Sequence, residues 1–98
     1  MRFEWDPEKA AANRAKHGVS FEQASRLLGG GADYLEFYDA RHSVDEDRFL
    51  AVGIGEPGMI VVVYKQVDEE TVRIISARRA TRREIGLYQQ HGGHNHEG

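Results

Sequence analysis

VRIISARRATRREIGLY, residues 72–88, is the stretch whose reading decides the fold. Its first half is strand-like: Ile74 and Ile75 are β-branched neighbours, and the run alternates into Ser76 and Arg78. By simple alternation Arg78 shares a face with Val72, Ile74 and Ser76, and Ala77 points the other way. The second half is helix-like. Thr81 is a good N-cap, and Glu84 three residues later completes a capping box. Five arginines, Arg73, Arg78, Arg79, Arg82 and Arg83, fall in this stretch, on a chain whose net charge is -3. A basic block on an acidic protein points to a positioned anion site; the alternative is a solvated helix with its arginines on the wet side.

Ninety-eight residues make one domain with a modest core. The composition, 40% hydrophobic and 30% charged, is that of a globular chain. There is no cysteine, which excludes disulfides, thiolate chemistry and Cys-ligated zinc and fits a reducing compartment. No apolar run has membrane-spanning length and MRFEWDPEK is not a signal peptide, so a cytoplasmic location without membrane attachment is expected.

Phe3 to Trp5 predicts a short strand. Asp6-Pro7-Glu8 opens a helix that runs to His17 and stops at Gly18. Its small face, Ala11, Ala12 and Ala15, permits close packing, and Lys9, Asn13, Lys16 and His17 follow at helical spacing and share one side. Ser20 and Gln23 form a second capping box, Val19 and Ala24 a hydrophobic staple, and Ala24, Leu27 and Leu28 an apolar stripe. Gly29 to Gly31 ends that helix. No G-K-[ST] follows, so the triple glycine is read as a turn and not as a phosphate loop.

From Asp33 the period is two. Strands are expected over 34–39, 48–54, 59–65 and 71–77, with a type II turn at 55–58 centred on Pro57 and Gly58. Ile60 to Tyr64 is apolar on both faces, which predicts a central strand. Short connections favour an antiparallel meander. The result is an α+β domain over 1–90: strand, two helices, a mainly antiparallel sheet and a C-terminal helix. The Gly/His tail, 91–98, is expected to be disordered; His91, His94 and His96 there could bind a metal weakly.

The residues able to carry chemistry are Lys16-His17, the group His42, Glu46 and Arg48, and Arg78, Arg79 and Tyr88. No nucleotide loop, serine-nucleophile motif or H-E-x-x-H is present. His42 with Asp45 and Glu46 lacks the spacing of a known metal site and reads more simply as a solvated acidic loop. His, Glu, Tyr, Lys and clustered Arg together suit metal-independent RNA cleavage. The substrate supplies its own 2′-hydroxyl nucleophile, side chains move protons, and guanidiniums stabilise the phosphate charge. Each residue has a structural alternative: His17 against its helix end, Glu84 in a capping box, Tyr88 in the core, Arg48 paired with a loop carboxylate.

Three ordered sets of residues span the chain up to Tyr88. They are Phe3-x-Trp5-Asp6 with Lys9, Asn13, Lys16-His17-Gly18-Val19 and Phe21-x-x-Ala24; Asp39-x-x-His42-Ser43 with Glu46-x-Arg48 and Gly53; and Arg73 to Arg78 with Ala80, Glu84 and Tyr88. Together they resemble the BrnT family of type II toxin–antitoxin ribonucleases. The resemblance implies a RelE-like fold and an mRNA-cleaving toxin that uses no cofactor. It implies an antitoxin partner of the ribbon-helix-helix type, through which the complex meets operator DNA. Arg78, Arg48, His17, Glu46 and Tyr88 are the expected catalytic set, with RNA contacts from Lys16, Lys65, Arg79 and Arg82. One departure stands out: Lys65-Gln66-Val67 holds no arginine where family members often carry one. Lys65 offers a point charge and not a bidentate fork. The alternative is therefore a weak or inactive member that binds an antitoxin and takes part in repression.

Overall fold

Period-two segments pair into one five-stranded sheet, and the capped segments between and after them become its helical cover. In the computed structural model, which describes residues 1–56 and 58–92, the order is β1 (Arg2–Glu4), α1 (Pro7–His17), α2 (Phe21–Gly29), β2 (Leu35–Tyr38), a 3₁₀ turn (Ala40–His42), β3 (Phe49–Gly55), β4 (Gly58–Asp68), β5 (Thr71–Arg79), α3 (Arg82–Leu87) and a π-helical turn (Tyr88–Gly92). The sheet runs β1-β5-β4-β3-β2. β2 to β5 form the expected antiparallel meander, and β1 joins the far edge parallel to β5. The apolar run Ile60–Tyr64 lies in β4, the central strand.

Local chemistry sets the helix ends. Asp6 Oδ1 accepts the Glu8 N–H at 2.8 Å, and Gly18 takes a left-handed φ of 72° while its N–H closes on Arg14 O. Both expected capping boxes form, Ser20 with Gln23 and Thr81 with Glu84. The hairpin before β4 pairs Gly55 with Gly58, so Gly58 sits on the strand side of the turn and not at its centre. The turn type itself rests on Pro57, outside the described residues. So do His94 and His96 of the tail, whereas His91 and Gly92 close the π-helical turn.

The core lies between α2 and one sheet face. Phe21, Ala24 and Leu27 pack on Ala51, Ile60, Val62, Tyr64, Val72, Ile74 and Ala77. Gly53 admits this approach, since a Cβ there would stand 2.8 Å from Leu27 Cδ1. α3 covers part of the opposite face, where Leu87 and Phe37 border the same hollow as the buried Val52 and Val61.

Two sequence expectations change. Ala11, Ala12 and Ala15 are exposed, and α1 turns Ala10 and Asn13 inward instead. Asn13 is buried, unlike the exposed Lys9 and Lys16 that share its side by spacing. Its amide donates to Val19 O (3.0 Å) and Ala77 O (2.7 Å) and accepts the Ala77 N–H (3.1 Å). It thereby pairs both backbone groups of a β5 residue beyond the end of β1, and a buried polar group so satisfied is cheap to keep. The second change is in β5. Val63 pairs with Ser76 but Tyr64 pairs with Ile74, which leaves Ile75 as an extra, bulged residue. The bulge reverses the alternation. Val72, Ile74 and Ala77 all enter the core, and Ile75, Ser76 and Arg78 emerge together on the other face.

Candidate functional site

The segment between β2 and β3 is short of regular structure but is tied at its neck. The Asp39 N–H donates to Arg48 O at 2.8 Å. Ser43 Oγ donates to Asp39 O at 2.5 Å and accepts the Arg48 N–H at 2.9 Å. This explains why a serine follows His42: its hydroxyl closes the loop from inside. The same closure holds His42 over Asp39, with Nδ1 3.0 and 3.2 Å from the two carboxylate oxygens. Asp39 is mostly covered and His42 is open, at 13% and 65% side-chain exposure. In the tautomer this contact favours, Nδ1–H donates and Nε2 is the free nitrogen.

Arg48, immediately before β3, and Arg78, near the end of β5, line one hollow of about 460 Å³ together with Asp39, His42 and Ser76. Ile75, thrown out by the bulge, forms part of its floor. Arg78 is forked onto Glu84, with Nη1 and Nη2 each 2.8 Å from a carboxylate oxygen. Glu84 also accepts the Thr81 N–H at 2.8 Å in its capping box. The Arg78 hydrogen bonds hold the Glu84 carboxyl down to about 2, and Glu84 in turn raises Arg78. A carboxylate thus occupies the planar fork that suits a phosphate.

Glu46 bridges two more cations, Lys65 Nζ at 2.6 Å and Arg48 Nε at 3.2 Å. The Lys65 hydrogen bond, and then Arg48, hold its carboxyl below the usual value. These three residues, with Lys9 and Arg73, line a second hollow that shares Arg48 and Ile75 with the first.

Of the residues singled out from sequence, the fold gathers Arg78, Arg48, Glu46 and Lys65 around these adjoining hollows. His17 and Lys16 stand at the end of α1 and line neither; His17 is half-buried on the inward stripe of Ala10 and Asn13. Tyr88 begins the final turn, which lies against β2, and does not border them. Arg79 closes β5 and Arg82 opens α3, both exposed. Asp39 and His42 were absent from the expected catalytic and RNA-binding set. Their signal was the Asp39-x-x-His42-Ser43 motif, whose spacing is that of a dyad on a tight turn. Among the described residues no group of three or more His, Asp or Glu is placed to hold a metal, and no helix is long and apolar enough to cross a membrane.

A single sheet with helices on both faces, and an arginine-lined hollow on the face that α3 leaves open, defines a small α+β domain. The chain belongs to the BrnT family: the family described as ribonuclease toxin, BrnT, of type II toxin-antitoxin system matches residues 5–84. The Brucella abortus ribonuclease toxin BrnT, known from a 1.1 Å crystal structure, has a similar fold. Its TM-score is 0.63 at 29% sequence identity, over 84% of this chain and 99% of that one. No curated protein matches the chain. The resemblance read from the motifs is thus shown, as is the α+β fold it implied.

Proposed function

We propose that this ribonuclease toxin cleaves mRNA without a metal ion, through the hollow between β3 and β5. The observation that carries this is the convergence of Arg78, from the end of β5, with Arg48 and the His42–Asp39 pair of the β2–β3 connection, thirty or more residues earlier in the chain. The substrate's 2′-oxygen attacks the adjacent phosphorus, the bond to the 5′ oxygen breaks, and a 2′,3′-cyclic phosphate and a 5′-hydroxyl result. His42 Nε2 takes the 2′-hydroxyl proton, and water at the open mouth of the hollow protonates the leaving oxygen. Arg48 and Arg78 stabilise the charge that grows on the phosphate, Arg78 exchanging the Glu84 carboxylate for it. Glu46, held acidic by its two cations, is a poor proton acceptor and serves to orient Arg48. His17 and Tyr88 remain the alternative proton carriers, and Lys16, Lys65, Arg79 and Arg82 contact flanking RNA. An antitoxin of the ribbon-helix-helix type neutralises the toxin with an acidic or amphipathic segment laid over the Arg78 region, and the complex represses its operon.

A second reading draws on the ion pairs themselves. Arg48, Lys65 and Arg78 are all engaged by internal carboxylates. A chain whose fork never left Glu84 would bind an antitoxin and repress without cleaving. Purified protein assayed on RNA in EDTA, together with induction in cells lacking the antitoxin, separates the two. Cleavage and growth arrest, both abolished in His42→Ala, are expected. Antitoxin binding with neither cleavage nor arrest selects the second reading. A His42→Ala variant as active as the parent returns His17 or Tyr88 to the mechanism.

A further inference from the structure

In the step just described the second hollow contributes only Arg48, Glu46 and Lys65; Lys9 and Arg73, which complete its cationic lining, have no role there. It is lined by Lys9, Arg48, Lys65 and Arg73 against Asp6 and Glu46, four cations to two carboxylates. Counting Glu4 as well, which pairs with Arg73 at 2.9 Å, one positive charge is still in excess, on a chain whose net charge is -3. The elements that supply these cations come from both ends of the chain: α1 lies along β5 and brings Lys9, while Lys65 and Arg73 sit directly opposite each other on β4 and β5. Like charges at paired positions are unfavourable in a sheet. Both side chains are partly covered, at 28% and 38% exposure, so solvent screens the pair incompletely. Each is paired with one carboxylate, Lys65 with Glu46 and Arg73 with Glu4, and keeps further N–H donors that an anion between them can engage. The hollow also abuts the first one, with Arg48 and Ile75 forming the common wall.

We infer that this hollow is a second phosphate subsite, holding the non-bridging oxygens of the RNA phosphate next to the scissile one, with Lys9 and Arg73 as its specific contacts. The inference rests on the ribonuclease reading for its ligand. Continuity with the Arg48–Arg78 hollow is what favours a phosphodiester chain over an acidic protein segment: a strand whose scissile phosphate sits on Arg48 and Arg78 carries its neighbour past the shared wall. α1 then belongs to the RNA-binding surface through Lys9, near its N-terminus, as well as through Lys16 at its far end.

The test is binding of a short 2′-O-methyl RNA, which has no reacting hydroxyl, to the parent, Lys9→Gln, Arg73→Gln and a control, Arg26→Gln. Arg26 loses the same charge but pairs with Glu56 and lines neither hollow. Each subsite variant is expected to bind about tenfold more weakly, with the slope of log K on log salt reduced by about 0.7; the control keeps the parent's values. A neutral methylphosphonate at the phosphate beside the scissile position should weaken the parent by the same factor and the variants no further. Melting of each variant is recorded, and Lys9→Gln, at an exposed position outside the core, decides the matter if Arg73→Gln does not fold. Parent-like affinity and slope in the subsite variants overturn the inference, as does an equal loss in Arg26→Gln. Loss of hexaglutamate binding with RNA binding intact also overturns it, by reassigning the cluster to protein docking. Cleavage of the matching ribo-oligonucleotide by the parent is scored separately: binding without cleavage removes the ribonuclease reading and leaves the subsite, and cleavage with unaltered variant binding does the reverse.

Discussion

Replacing Arg78 separates chemistry from architecture. Arg78→Ala deletes a bidentate pair whose two contacts are each 2.8 Å, between side chains 34% and 22% exposed. Glu84 is not stranded by this. It keeps the Thr81 N–H at 2.8 Å and its place in the first turn of α3, where a negative charge is favoured. Discounted for solvent screening, the pair is worth about 1 kcal/mol, a fall in Tm of roughly 4–8 °C for a domain this size. From a stability of about 5 kcal/mol, that loss leaves only roughly one molecule in a thousand unfolded at 25 °C. Unfolding therefore cannot account for much lost activity. Loss of a transition-state contact of this kind costs about a hundredfold to a thousandfold in rate. Arg78→Lys keeps the charge but not the planar fork, so it should melt near the parent and still cleave at least about tenfold more slowly. The assay is initial cleavage rate and thermal melting on the same preparations. A folded Arg78→Ala that cleaves at the parent rate refutes the assignment, and so does a rate that falls only in step with stability.

Glu84, held at about 2 in the fold against an ordinary 4.5, contributes stability that is fully present above pH 4.5 and is lost as pH falls toward 2. Glu84→Gln should flatten the acid side of the stability curve in that window, as read by melting across pH; an unchanged acid limb would contradict the pair. Asn13→Ala leaves Val19 O and both Ala77 backbone groups without their partner. A loss of about 3 kcal/mol is expected, with the Ala77 amide turning from slow to fast hydrogen exchange. An antitoxin bound at a hundred times its Kd should add about 2.7 kcal/mol to the toxin's stability. No change of Tm on mixing the two at micromolar concentration would remove that partner.

Local chemistry by itself determined the elements and their caps. Asp6-Pro7, Gly18 and the two capping boxes act over three or four residues, and the two-sided apolar run Ile60–Tyr64 put β4 at the centre whatever its neighbours were. Arg78 stood out within a basic block that pointed to an anion site, and Arg48 as a cation able to pair with a loop carboxylate. What only the tertiary structure decided is which residues face one another. Ile75 is an ordinary strand residue in sequence, and nothing nearby marks it as the extra one. Its bulge exists because pairing with β4 must shift register by one between Tyr64 and Val63, and that shift turns Ala77 into the core and keeps Ser76 and Arg78 outside it. Asn13 falls at helical spacing with Lys9, Lys16 and His17, and its burial was not legible because its partners, Val19 O and Ala77, come from the next loop and the last strand. His42 meets Arg78 only because β3 and β4 place the two connections side by side. Short-range hydrogen bonding is written in adjacent residues; convergence across the sheet depends on register, a property of the paired strands and of neither strand alone.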